Sequence, residues 1–193
     1  MSGPTLMAAC VAIVLAAPAC GRRVAGEPVP VADLIHTFDR AEKRPPAGFD
    51  LRTHVAGGIP RAAIVMPVPS RVIWPMPLPH HGVFRAQLAL PTPPPGAVVR
   101  FRFGVSDQRI YDAIASETLS ANQTGWTSFQ ADLSYYAGFK WSIFYRPDRM
   151  TWRVVLATDM LGAGPVDAAW GTPEIVTDHR SAMEYASRRQ TFR

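Results

Sequence analysis

The chain has 193 residues, 48% of them hydrophobic and 18% charged, which is enough for one domain with its own core and excludes disorder over most of its length. The net charge of +5 is compatible with anionic surroundings, yet no RNP, zinc-finger or basic-helix pattern accompanies it, so nucleic-acid binding is not expected. Nineteen prolines favour short strands and turns over long helices, and the only cysteines, Cys10 and Cys20, leave the rest of the chain without a disulfide framework or a cysteine metal site.

Residues 6–19, LMAACVAIVLAAPA, form an apolar run too short to span a bilayer as a helix, which takes about 20 residues. The run suits the core of an export signal. Ala17-Pro18-Ala19 places small residues at the cleavage positions and Cys20 follows at once. Residues 1–19 are therefore expected to be a signal peptide, with Cys20 as a lipidated first residue in the manner of bacterial lipoproteins. Ala17 stands where that pattern prefers leucine, and MSGPT before the run has no Lys or Arg. Ordinary cleavage at the same bond would leave Cys20 as a free thiol. Residues 20–31 read as a tether, roughly 30 Å long if extended.

Residues 32–43, ADLIHTFDRAEK, are predicted to form a short amphipathic helix. Asp33 is its N-cap, and Leu34, Ile35, Phe38 and Ala41 recur at helical spacing. The prolines of RPPAG, from residue 44, stop it, and residues 32–46 form a helix and linker.

From residue 49 the period changes to two, and residues 47–177 are read as one β-sandwich domain. Strands are predicted at 61–66, 70–74, 83–90, 97–105, 139–146, 151–158 and 172–177. Phe84, Ala86, Leu88 and Leu90 share one face of their strand, as do Val99, Phe101, Phe103 and Val105. Phe139, Trp141, Ile143 and Tyr145 alternate against Lys140, Ser142, Phe144 and Arg146, and Trp152, Val154 and Leu156 against Arg153, Val155 and Ala157. Short strands at this spacing, cut by Pro and Gly turns, predict an all-β antiparallel sandwich, or jelly roll. No helices alternate with them, which argues against a parallel doubly wound sheet. The rings of inward parity are read as core. Residues 178–193 form a basic tail that is either frayed or a small docking helix.

Three stretches occur in order: FRFGVSDQRIYDAI at 101–114, DLSYYAGFKWSIFY at 132–145 and DAAWGTPEIV at 167–176. Together with PSRVIW at 69–74 they resemble galactose-binding-like jelly-roll modules of bacterial exported proteins, which often stand beside sulfatase or glycosidase domains. The resemblance covers roughly residues 45–177 and is more specific for fold than for ligand. Gln108 departs from it, standing where a glycine is usual. The activity of a neighbouring catalytic domain in such proteins does not transfer. The resemblance implies carbohydrate as ligand, and it keeps open a structural calcium held by Asp107, Asp167 or Glu174. Calcium takes six to eight oxygens, and no local run supplies them. Without the resemblance, Asp132 and Ser134 suit a tight turn that accepts backbone N–H groups, and Gly138 suits its end.

No G-x-S-x-G elbow, H-E-x-x-H pair or phosphate loop is present, so no enzyme is expected. His80-His81 lies in a proline-rich turn without a third ligand in sight. Two features suit recognition. Trp126, Tyr135, Tyr136 and Trp170 lie off the core parity or in loops, where flat rings can stack on sugars. Arg85, Arg100, Arg102, Lys140, Arg146 and Arg153 take outward parity and suit sulfated or carboxylated glycans or anionic headgroups; of these, Arg100, Arg102 and Arg153 are the candidate ligand contacts. The bland alternatives are rings folded onto the core and ordinary solvated faces. The expectation is an envelope-tethered module binding carbohydrate or a glycan-bearing partner. The alternative is a scaffolding lipoprotein that docks another envelope protein without sugar.

Overall fold

The computed structural model describes residues 27–107, 109–137 and 152–191. Its elements are β1 (Val29–Asp33), β2 (Glu42–Arg44), β3 (Asp50–Ala56), β4 (Ile59–Pro67), β5 (Ser70–Met76), β6 (Val83–Ala89), β7 (Val98–Ser106), β8 (Tyr111–Ser120), β9 (Thr127–Asp132), α1 (Ser134–Ala137), β10 (Trp152–Met160), β11 (Asp167–Thr177) and α2 (His179–Thr191). Two sheets pack face to face. One has the order β3-β4-β11-β6-β9, with β1 also on β11; the other runs β2-β5-β10-β7-β8. Every pairing between described strands is antiparallel. The all-β sandwich expected from the two-residue period is what forms.

Parity decides the core. Phe84, Leu88, Val99, Phe101, Phe103, Val154 and Leu156 are fully buried between the sheets. The Phe84 ring on β6 stacks on Phe103 of β7 at 4.0 Å and 8°, bridging the two layers. Trp170 of β11 sits among Phe84, Phe101 and Phe129 at 6.1, 5.2 and 5.5 Å. Each such buried ring stabilises the sandwich by about 1.5–3 kcal/mol relative to exposure.

The expected helix at 32–43 does not form. Asp33 ends β1 and its Oδ1 accepts the Ile35 and His36 N–H groups at 2.8 and 3.3 Å, turning the chain rather than starting a helix. Only a single 3₁₀ turn, Phe38–Arg40, follows. The spacing of Leu34, Phe38 and Ala41 is real, and all three are buried, but they plug the sandwich from a strand–turn–strand path. Tertiary pairing outcompetes local propensity here, since Leu34 N–H bonds to Pro173 C=O at 3.0 Å and β1 completes the β11 ladder. The tether is correspondingly shorter than expected, because Val29 and Pro30 already pair with Thr177 and Val176.

β3, β8 and β9 were not anticipated. β8 is an edge strand whose alternation is broken by a bulge opposite Phe103–Gly104. β3 is an edge strand with both faces largely exposed. β9 is short, with only Phe129 and Ala131 turned inward. The expected strand 139–146, with Trp141, Lys140 and Arg146, lies outside the described residues. The tail is a helix: Asp178 caps α2 through the Ser181 N–H at 2.9 Å, and Tyr185 is buried.

Candidate binding surface

Trp126 is a clasp rather than an open platform. Gly57 and Gly58, at φ +58° and +77°, form the tight turn of the β3–β4 hairpin. β4 pairs with β11 only over 63–67, so the hairpin tip is released from the sheet. The tip docks instead on the loop before β9: Gly57 N–H donates to Thr124 C=O at 2.9 Å, and Trp126 Nε1 donates to Ile59 C=O at 2.8 Å. The indole rests on Gly171, where a Cβ would approach it to 2.8 Å, and meets His54 edge-on at 5.6 Å. It packs on the small side chains Ala56, Ala63, Val65, Ala89 and Ala169.

Trp170 is corrected outright. Expected as a ring off the core that could stack on a sugar, the residue lies within β11 with 0% exposure, at the centre of the ring cluster, and it cannot meet a ligand. A tryptophan between alanines and glycine carries no parity signal of its own, because Ala168, Ala169 and Gly171 look alike on either face of the sheet.

The two tyrosines separate. Asp132 Oδ1 accepts Ser134 N–H at 2.8 Å, the backbone bond expected of it, but the chain then forms the short helix α1 where a tight turn was expected. The Tyr136 phenol donates to Asp112 and its ring meets Trp152 at 5.6 Å. Burial, then the Asp112 carboxylate, pushes its pKa up. Tyr136 is thus a structural plug. Tyr135 stands edge-on to it at 5.2 Å and is 68% exposed, the only aromatic among the large exposed hydrophobic residues described.

The arginines divide between the two sheets. Arg85 lies on the six-stranded sheet and pairs with Glu174 at 2.7 Å. Arg100, Arg102 and Arg153 share the outer face of the five-stranded sheet. Arg100 and Arg102 both bond Asp159, at 3.0 and 2.8 Å, and Arg153 approaches Glu42 at 3.6 Å.

Two residues of this face escaped sequence reasoning. Arg71 sits on β5 at outward parity, within the SRVIW strand already recognised. Tyr111 opens β8, and its ring lies over Gly104, where a Cβ would come within 2.7 Å of it. Tyr111 thereby covers Ile73, Val155 and Ala157, which are apolar residues of outward parity. Burial raises the Tyr111 pKa, and the Arg102 and Arg71 charges oppose that rise.

The carboxylates proposed for calcium do not converge. Asp107 Oδ1 accepts the Arg109 and Ile110 N–H groups at 2.9 and 2.8 Å, which closes the β7–β8 turn and lowers its pKa. Asp167 and Glu174 lie along β11 at a separation of roughly 20 Å, too far for one ion. Among the described residues no group of three or more His, Cys, Asp or Glu is placed to hold a metal. His80 contributes its backbone carbonyl to the Thr177 hydroxyl at 2.5 Å, and His81 is in the left-handed region at φ 52°.

No protein-family profile and no curated protein matches the chain. Solved structures match its fold. The N-terminal CBM22-1–CBM22-2 tandem domain of Paenibacillus barcinonensis Xyn10C aligns with a TM-score of 0.50 and 12% identity, covering 79% of this chain and 46% of that one. The CBM22-1 xylan-binding domain of the same protein gives 0.46 and 12%, covering 72% and 86%. The CBM51-2 and INT domains of Clostridium perfringens ZmpB, in complex with GlcNAc, give 0.41 and 11%, covering 71% and 27%. The chain thus spans less than a third of the ZmpB structures it matches. What is shared is the fold, the β-sandwich of carbohydrate-binding modules.

Proposed function

We propose that the protein is a non-catalytic carbohydrate-binding module, exported and held at the cell envelope by lipid on Cys20. The observation that carries the reading is Tyr135, a ring 68% exposed and braced edge-on by Tyr136, which Asp112 and Trp152 hold in turn. A pre-positioned flat ring stacks on the apolar face of a sugar without an ordering cost at the moment of binding. The fold shared with carbohydrate-binding modules is consistent with this use. Cys20 precedes the described residues, and β1 starts nine positions later at Val29.

The test is a glycan array with wild type and Tyr135→Ala. Sugar signals lost in the variant, with thermal stability unchanged, support the reading. A blank array for wild type overturns it. A second reading, docking of another envelope protein, rests on the hairpin residues Leu51, Val55 and Ile59, which are 39%, 57% and 51% exposed. A blank array together with a partner retained by wild type and lost on Val55→Asp favours that reading.

A further inference from the structure

The register of the five-stranded sheet places Arg44, Arg71, Ala157 and Arg102 in one row across β2, β5, β10 and β7, all on the outer face. The row spans about 14 Å, and Arg71 and Arg102 flank Ala157 at about 10 Å between backbones. Ala157 is too small to separate two long side chains, and the Tyr111 ring covers it, so both guanidiniums can close on a group at the edge of that ring. The Tyr111 ring lies alongside, with the Arg102 guanidinium carbon 5.8 Å from its centroid. The Tyr111 hydroxyl and Arg102 Nε are both buried and have no hydrogen-bond partner among the described residues. A cleft of 260 Å³ opens at Arg71, lined also by Arg44, Ser70, Thr158 and Asp159, the carboxylate that Arg102 bonds.

The charges on this face are unequal. Among the described residues, Arg44, Arg71, Arg100, Arg102 and Arg153 share this face with the carboxylates of Glu42 and Asp159. Arg44 pairs with Glu42, Arg100 and Arg102 share Asp159, and Arg153 leans on Glu42. Arg71 is exposed and makes no ion pair or hydrogen bond among the described residues. Its neighbours are thus oriented by carboxylates while it is left to meet something else.

We propose that Arg71, Arg102 and the Tyr111 hydroxyl form a slot for one oxyanion, a carboxylate or sulfate ester carried on a sugar chain. Guanidinium forks recognise both groups through paired N–H donors. The count of partners chooses a lightly charged glycan over a nucleic acid. A nucleic-acid site neutralises several phosphates with free cations, and here four of the five arginines are already engaged by carboxylates. The choice of a sugar as carrier rests on the carbohydrate reading above, but the slot itself does not.

Two measurements separate these layers. Inorganic sulfate is titrated into the full chain while the arginine Nε–Hε resonances are followed by NMR. Saturable shifts at Arg71 and Arg102 in wild type, absent from Arg71→Gln, support the slot; no shift overturns it. Calorimetry then compares an oligogalacturonate with its neutral methyl ester. The acid form should bind at least about tenfold more tightly, and Arg71→Gln should erase that difference while leaving the neutral form unaffected. Sulfate shifts without an acid preference for either oligogalacturonate or a sulfated oligosaccharide overturn the glycan assignment and leave the slot standing. Single-stranded DNA bound more tightly than either acidic sugar also overturns it. Arg71→Lys, which keeps charge but loses the fork, should recover only part of the affinity.

Discussion

Trp126 and Ile59 are joined by one hydrogen bond, indole Nε1 to backbone carbonyl at 2.8 Å, across 67 positions of sequence. That bond fastens the released tip of the β3–β4 hairpin to the loop before β9, and Gly171 leaves the space in which the ring lies. A residue expected to meet ligand therefore holds the protein's own backbone.

Trp126→Ala should destabilise the fold by about 2–3 kcal/mol, because ring packing and hydrogen bond go together. Trp126→Phe should cost about 1 kcal/mol. Gly171→Ala should cost about 1–3 kcal/mol by driving a methyl into the indole. Chemical denaturation measures all three. Sugar affinity unchanged in folded Trp126→Phe would agree with a clasp, whereas lost affinity at full stability would restore the ring as a ligand contact.

Trp170 has no exposure, and its Nε1 has no hydrogen-bond partner among the described residues. Trp170→Ala should cost about 3–5 kcal/mol. Trp170→Phe should cost distinctly less, since removing an unpaired buried N–H offsets part of the lost packing. Equal losses in the two variants, read from denaturant midpoints, would show that the N–H is bonded after all.

His54 titrates below the usual histidine range, through burial first and the Arg52 charge second. Below about pH 6.5 the unfolded chain then binds more protons than the folded one. The stabilisation is complete above that pH and declines as pH falls toward the folded value. Melting temperature should therefore drop more steeply between pH 7 and 5 in wild type than in His54→Gln. Superimposable slopes would refute the shift.

Asp178 sits below the usual carboxylate range, because the Ser181 N–H and then its hydroxyl bond the charged form. A lowered carboxylate pKa contributes stability above the unfolded value, near 3.9, and loses it as pH falls through the folded one. Asp178→Ala should expose the α2 amides to hydrogen exchange several-fold faster at neutral pH, consistent with a lost N-cap of about 1 kcal/mol. Faster exchange confined to the sheets would contradict this role.

The alternation of Phe84, Ala86 and Leu88, and of Val99, Phe101 and Phe103, was enough to predict two antiparallel layers and their inward faces, because a strand's side chains change sides at every residue. The cap chemistry of Asp33 and Asp132 was equally local, although at Asp33 it produced a turn in place of a helix. Where each ring ends up was not local. Trp126 and Trp170 are placed by β4 and by the facing sheet, and of the two tyrosines it is Tyr136 that takes the Asp112 carboxylate and the contact with Trp152, while Tyr135 stays exposed. Arg71, Ala157 and Arg102 become neighbours only through the β5–β10–β7 register, since a contact made across strands depends on which chains pair and not on the spacing along any one of them.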